Sequence, residues 1–123
     1  MYKLINLTPH DIYLYGDGSL DDKDKLLLTV PSTGVIARVE QSMEKEGYIG
    51  LNSTLQDDRH ISVPIVKSKY GKISGLPAPQ ENTIYIVSGI VAQQANRDDV
   101  VFPTDFVRDD KNRIIGCRAF SKV

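Results

Sequence analysis

The side chains best suited to metal binding or nucleophilic chemistry in this sequence are two histidines and one cysteine, His10, His60 and Cys117. The histidines have neither the His-x-x-x-His spacing of a helical metal site nor a Cys-x-x-Cys pair nearby, so no metal site is predicted. Cys117 lies in an alternating run and is interpreted as a small buried hydrophobe rather than a reactive thiolate. The sequence therefore predicts no catalytic residue and no cofactor, although an enzyme using His10 and His60 stays an alternative.

Ser88 lies at a strand-to-helix junction, as an esterase nucleophile does. The surrounding residues Ile86-Val87-Ser88-Gly89-Ile90 have Gly on one side only, and it is at neither position that a Gly-x-Ser-x-Gly elbow requires, which favours a helix cap instead. We predict that Ser88 caps a helix over 89–95 and that Asn96 ends it in a left-handed conformation. Ser88 and Gly89 would then present backbone N–H groups to a phosphate or carboxylate.

The last two strands are predicted to form a hairpin through the turn Asp110-Lys111-Asn112, with Asn112 in the left-handed region. In the expected register Asp109 pairs with Arg113, Val107 lies opposite Ile115, and Asp105 lies opposite Cys117. The apolar residues of this register, which we expect to face the core, are Val107, Ile115 and Cys117.

The other face of this hairpin carries Phe106, Arg108 and Arg118, two guanidiniums and an aromatic ring. A nucleotide suits such a face, because its base can stack on the ring while its phosphates accept bidentate hydrogen bonds. The open alternative is a solvated face on which Arg108 pairs with Asp98 or Asp99. Further expected ligand-binding residues, each with an alternative as an ordinary turn or cap residue, are Thr8 and His10 in the opening turn, Ser88, and Arg97 after the helix.

The elements that position these residues are predicted from short apolar or alternating runs, each ended by Gly, Pro, Asn or Asp. Such runs are typical of strands, and about eight strands are expected. The run Thr83 to Val87 is β-branched or aromatic throughout and is predicted to be a central strand. Residues 41 to 58 are the least patterned, with an edge strand at 48–51. The predicted fold is mainly β, a small antiparallel barrel or two-layer sandwich with one short helix after the central strand.

Length and composition limit the number of domains, the kinds of partner and the cellular compartment. The 123 residues fit a single domain spanning 1–123. Fifteen basic against sixteen acidic residues give a net charge of −1, so neither duplex nucleic acid nor a membrane surface is an expected partner. A lone cysteine and an N-terminus without an apolar export segment favour the cytoplasm.

Several segments, spread in order over nearly the whole chain, resemble a family of small proteins of bacteriophages, prophages and actinobacteria. Two departures stand out: Asn112 occupies a turn position where many members have Gly, and Gly89 a position where Arg or Leu is usual. The matching segments are Asn6-Leu7-Thr8-Pro9-His10, Ser32-Thr33-Gly34-Val35-Ile36-Ala37-Arg38, Tyr70-Gly71 with Gly75-Leu76-Pro77, Tyr85-Ile86-Val87-Ser88 with Val91-Ala92, Arg97-Asp98-Asp99-Val100, Val107-Arg108-Asp109 and Ile115-Gly116-Cys117-Arg118.

The resemblance implies counter-defence, because some small phage proteins are sponges that bind a host nucleotide signal without cleaving it. We therefore predict a non-catalytic protein that binds a small anionic or nucleotide-like molecule. The alternatives are a phosphodiesterase-type enzyme acting on such a nucleotide, and a structural or host-protein-binding module without a small-molecule site. We also expect a homodimer or higher homo-oligomer, because a domain of this size rarely encloses a ligand alone.

Overall fold

The computed structural model describes the backbone of residues 1–53 and 59–123, and the side chains of residues 1–51 and 61–123. The chain forms two compact units, one of Met1–Val39 with Ile73–Val123 and one of Glu40–Lys72. The described residues form eight strands and one helix: β1 Lys3–Asn6, β2 Ile12–Tyr15, β3 Leu26–Val30, β4 Arg38–Ser53, β5 Arg59–Ser74, β6 Thr83–Ile86, α1 Gly89–Ala95, β7 Val100–Arg108 and β8 Ile114–Ser121.

The first unit is built on a six-stranded sheet with the strand order β1-β6-β7-β8-β2-β3. Its two outermost strands meet where β1 and β3 end, through a bridge between Asn6 and Ser32. The Thr33 N–H also donates to the Asn6 carbonyl oxygen at 3.2 Å. The sheet thereby becomes a nearly closed barrel, which confirms the predicted mainly β, barrel-like class.

Strand directions in this sheet are mixed, whereas the sequence predicted an antiparallel sheet. Antiparallel pairing holds for β2 with β3 and for β7 with β8. β1 with β6, β6 with β7 and β2 with β8 pair in parallel. The helix accounts for the parallel β6–β7 pair: β6, α1 and β7 form a βαβ unit, and a helical crossover lets the next strand run in the same direction.

α1 is the helix that the sequence predicts, with the same bounds and caps. Ser88 is extended and its side chain accepts from the Val91 N–H, while Asn96 is left-handed with φ 48° and ψ 51°. Val91 and Ala92 are the residues that the helix buries. Seven residues are too few for a stable isolated helix, so α1 depends on this packing.

Apolar side chains pack in two clusters, and residues of β6 alternate between them. Tyr85 and Val87 pack with the helix residues Val91 and Ala92 in one cluster. Ile86 packs in the other, together with Ile12, Val30, Val101 and Cys117. Tyr85, Ile86 and Val87 have no exposed surface, so the prediction of a central strand buried on both faces is confirmed.

The terminal hairpin has the predicted turn but not the predicted register. Asp109 and Arg113 pair, and Asn112 has a φ of 61°. Beyond them, Val107 lies opposite Gly116 and Phe106 opposite Cys117, because the register shifts between Val107 and Arg108. The shift leaves Ile115 as the extra residue of a bulge, and its side chain is 39% exposed. The prediction that Ile115 faces the core is therefore wrong.

The second unit consists mainly of a two-stranded sheet of β4 and β5, two strands of 16 residues each. The sequence predicted only a short edge strand at 48–51 and a hairpin of 26–30 with 35–40. A strand is present at 48–51, but it is part of the much longer β4, which begins at Arg38 and pairs with β5. The expected hairpin is wrong, because β3 pairs with β2. Residues 54–58 of the least patterned segment lie outside the described residues. Among the described helices, none is long and apolar enough to cross a membrane.

Candidate functional site

A cavity of about 820 Å³ opens in the barrel unit and is the best-formed concavity among the described residues. Its volume lies within the range of about 300 to 1,000 Å³ that is typical of small-molecule sites. The opening turn after β1, strands β2, β7 and β8, and the start of α1 all contribute lining residues. Residues far apart in sequence therefore converge on one site.

Four aromatic rings line this cavity: Tyr13 and Tyr15 from β2, and Phe102 and Phe106 from β7. Gly116 of β8 positions Tyr15, because any Cβ at Gly116 would lie 2.5 Å from an edge carbon of the Tyr15 ring and 2.4 Å from the Tyr13 carbonyl oxygen. Only glycine permits this close approach of β8 to β2. Phe106 is 46% exposed, so part of its side chain is accessible to a ligand.

Polar groups in the lining are few: Thr8, His10, Asp11 and Ser88. Thr8 donates its hydroxyl hydrogen to Asn6 Oδ1 at 2.7 Å, and the Asp11 carboxylate accepts from the Ser32 N–H at 2.9 Å. The Ser88 hydroxyl accepts from the Val91 N–H at 3.4 Å as the helix cap. Within the described part of the chain, the His10 ring makes no hydrogen bond, so it is available to a ligand.

Asn6 holds the opening turn that presents Thr8 and His10. Its side chain is fully buried, and Nδ2 donates to the carbonyl oxygens of His10 at 2.8 Å and Val30 at 3.0 Å. Oδ1 accepts from the N–H of Thr8 at 2.9 Å. One buried amide therefore shapes the turn and joins it to β3.

The two arginines of the predicted ligand-binding face contact other groups of the protein. Arg118 donates to Asp24 at 2.6 Å through Nη2 and lies 3.7 Å from the Asp105 carboxylate. The hydrogen bond with Asp24 raises the pKa of Arg118. Arg108 donates to the Asn112 carbonyl oxygen of its own hairpin turn at 3.0 Å. Each guanidinium thus has a protein partner.

Arg97, the third predicted arginine, clamps the helix exit. It donates to both carboxylate oxygens of Asp99, at 2.9 and 2.6 Å, and to the Pro77 carbonyl oxygen at 2.9 Å. Its guanidinium carbon lies 5.9 Å from the centre of the Tyr85 ring. The hydrogen bond with Arg97 lowers the pKa of Asp99. Asp99 is therefore the partner of Arg97. The alternative of a solvated face had paired Asp98 or Asp99 with Arg108 instead.

Cys117 lies at the cavity wall but is 1% exposed, and burial raises the pKa of its thiol. A raised pKa keeps sulfur protonated at neutral pH, which is unfavourable for a nucleophile. Within the described residues, no three His, Cys, Asp or Glu side chains converge as metal ligands. The His60 side chain lies outside the described residues, so an enzyme that uses His10 and His60 stays an alternative.

The structure brings four of the seven predicted ligand-binding residues into the cavity lining, namely Thr8, His10, Ser88 and Phe106. The three arginines Arg97, Arg108 and Arg118 are not among the lining residues, and their role in binding stays a prediction. Sequence reasoning missed Tyr13, Tyr15 and Phe102. The alternation of Tyr13 and Tyr15 on a short strand was a usable signal, since alternate residues share one face.

Comparison of the chain with protein-family models, with curated proteins and with solved structures gives no match. The resemblance to phage and actinobacterial proteins is therefore a prediction from the sequence segments alone. Function has to be argued from the cavity itself.

Proposed function

We propose that this protein is a non-catalytic binding protein for a small, ring-bearing molecule of nucleotide type, held in the cavity of the barrel unit. The observation that carries the proposal is the cavity's four aromatic side chains, Tyr13, Tyr15, Phe102 and Phe106, around a volume of about 820 Å³. Stacking on an aromatic side chain contributes about 1 to 3 kcal/mol per base and tolerates different bases.

The polar groups fit the sugar and one anionic group better than a chain of phosphates. Among the described residues that line the cavity there is no Lys or Arg, so a polyphosphate would lack the bidentate partners it needs. His10 is the lining side chain that can carry a positive charge. We accordingly place a single phosphate or carboxylate of the ligand beside His10 and the base among the aromatic rings.

The chemistry of the lining supports binding without cleavage. The Cys117 thiol has a raised pKa, and the Ser88 hydroxyl serves as a helix cap, so neither is activated as a nucleophile. Sequestration of a host nucleotide signal, the role that the phage resemblance implies, would need no more than this. The proposal therefore extends to a sponge that holds its ligand intact.

The test is retention followed by recovery of a defined panel of probes: the four ribonucleosides, their 5′-monophosphates and their 3′,5′-cyclic monophosphates. After incubation and removal of free probe by gel filtration, heat releases the bound fraction for chromatography. The proposal predicts that at least one probe is retained at stoichiometric amounts and recovered unchanged. Recovery of a cleaved product would favour the phosphodiesterase alternative, and no retention of any probe would overturn the proposal.

Phe106→Ala and Phe120→Ala form a matched pair for this assay. Both remove a phenyl ring, but Phe106 lines the cavity, whereas Phe120 packs against the Ile12, Val30, Ile86, Val101 and Cys117 cluster. Phe106→Ala should weaken binding about 5- to 100-fold through lost stacking, with little loss of stability. Phe120→Ala should lower stability instead. The reverse pattern would contradict the site.

A further inference from the structure

The arm, which we define as residues Glu40–Lys72 of β4 and β5, has no core of its own. Within its described side chains, Glu40 to Leu51 and Ile61 to Lys72, none is buried. Two-stranded sheets of this kind are marginally stable in water unless another element covers them. Large apolar side chains nevertheless stay exposed, including Tyr48 at 62%, Ile49 at 48% and Leu51 at 49%. Exposure of this kind indicates an interaction surface.

One face of the arm can be defined from contacts between its strands. Lys69 forms an ion pair with Glu44, and a Cβ at Gly71 would collide with the Glu40 carboxylate. Alternate β5 residues from Gly71 back to Ile61 therefore share a face with Glu40 and Glu44 of β4. The β5 side chains on this arm face are Ile61, Val63, Ile65, Lys67 and Lys69.

Charge is divided between the two strands. By the same alternation, β4 contributes Glu40, Glu44 and Glu46 to the arm face, whereas β5 contributes Lys67 and Lys69; Lys45 and Lys72 lie on the opposite face. On the arm face these charged residues lie toward one end, and Tyr48 with Ile61, Val63 and Ile65 lies toward the other. A partner that matches this face must therefore be basic opposite β4, acidic opposite β5 and apolar beyond both.

A second copy of the same arm meets all three requirements. A two-fold axis running parallel to the strands, between two arms stacked face to face, places β4 of each copy over β5 of the other. On the arm face, Glu40, Glu44 and Glu46 of one copy then lie opposite Lys67 and Lys69 of its partner. Tyr48 lies opposite the apolar residues Ile61, Val63 and Ile65. We propose that the arm is the homodimer interface of this protein, formed by face-to-face packing of two arms with β4 over β5.

Edge-to-edge pairing fits less well. Parallel, in-register pairing of two β4 edges would place glutamates beside glutamates, and like charges directly opposite each other destabilise a sheet. The same pairing of two β5 edges would place lysines together, and Pro64 within β5 lacks the N–H that a continuous ladder needs.

The first test is the mass of the full chain in solution at about 10 µM, by light scattering after gel filtration. We expect twice the chain mass of 13.7 kDa. Val63→Asp, on the arm face, should give a monomer, whereas Ser62→Asp, one residue away on the opposite face, should leave the dimer intact. A monomeric wild type, or a dimer that survives Val63→Asp, would overturn the proposal. Retention of nucleotide probes is measured separately on each variant, so loss of ligand binding does not bear on the interface.

Charge exchange tests the predicted arrangement of the strands. A double variant Glu40→Lys with Glu44→Lys makes both strands basic, and Lys67→Glu with Lys69→Glu makes both strands acidic. Each should be monomeric alone, and a one-to-one mixture should regain the dimer. Single cysteines then distinguish face packing from edge pairing: Glu44→Cys mixed with Lys69→Cys should form a disulfide between copies, whereas Glu44→Cys alone should not. A disulfide in Glu44→Cys alone would contradict β4 over β5.

Discussion

Asn6 Nδ2 donates a hydrogen bond of 3.0 Å to the carbonyl oxygen of Val30, which joins the last residue of β1 to the last residue of β3. The same Nδ2 donates to the His10 carbonyl oxygen at 2.8 Å. A single fully buried amide thus closes the barrel and sets the turn beside the cavity. Stability and site geometry are linked through this residue.

Asn6→Ala should leave the carbonyl oxygens of Val30, which is buried, and His10, which is part-buried, without this donor. Each such loss costs about 1 to 3 kcal/mol, so we expect the free energy of unfolding to fall by roughly 2 to 5 kcal/mol. Urea denaturation measures the change, and Gln94→Ala on the exposed side of α1 is the control that should change it by less than about 0.5 kcal/mol. Equal stability of Asn6→Ala and wild type would contradict the closing role of Asn6.

Arg118→Ala should lower the melting temperature by a few degrees and leave nucleotide retention unchanged, because Arg118 is held by Asp24 and lies outside the cavity lining. Asp24→Asn is the matching variant from the other side of the ion pair and should lower the melting temperature in the same way. Thermal unfolding and probe retention are measured on the same samples. Weaker retention in Arg118→Ala at unchanged melting temperature would instead support the ligand role predicted from the sequence.

The Arg97–Asp99 pair makes stability depend on acid pH. Asp99 has a lowered pKa in the folded state, so its contribution is complete above the unfolded value of about 3.9 and is lost as pH falls through the folded pKa. Asp99→Asn should destabilise the protein by about 1 kcal/mol at pH 7, and its difference from wild type should shrink below about pH 4. Urea denaturation from pH 7 to 3 measures this, with Asp98→Asn as control. A difference that grows on acidification would refute the pair's role.

Gly89→Leu should fill part of the cavity without disturbing the fold. A Cβ at Gly89 would meet the Phe102 ring at 3.8 Å, an ordinary contact, and a longer side chain would extend along the lining. We expect unchanged or slightly higher stability, because glycine is a poor helix residue, and at least tenfold weaker probe binding. Gly89→Ala is the control and should bind nearly as wild type. Undiminished binding in Gly89→Leu would place the ligand elsewhere.

Local features of the fold could be predicted from the sequence. Ser88 and Asn96 bound the helix because their side chains and backbone preferences act within a few residues. Asn112 gave the hairpin turn for the same reason. The local hydrogen bond of Asn6 with the Thr8 N–H was also predictable, since an Asn two residues before the donor is typical of an Asx turn. Its hydrogen bond to Val30, however, joins residues that only the closed barrel brings together.

Features that depend on contacts between distant residues could not be predicted from the sequence. The bulge at Ile115 shifts the β7–β8 register by one residue, and the alternation of apolar residues alone could not show it. β4 mixes Glu, Lys and apolar residues, so it lacks the period-two pattern by which strands are recognised. Arg118 looked free on its own strand, because its partner Asp24 lies 94 residues earlier in the chain. The cavity, which gathers the opening turn, three strands and the start of the helix, depends on these long-range contacts.

The measurement that tests the binding site most directly is a nuclear magnetic resonance titration of ¹⁵N-labelled protein with the nucleoside and nucleotide probes. Binding in the cavity predicts saturable shifts of the backbone amides of Gly89, Phe106 and Ile114 to Cys117, with shifts of Asp24 and Asn112 near zero. Saturable shifts centred on Asp24, Asn112 and Arg118, or the absence of shifts with every probe, would contradict a ligand site in the aromatic cavity.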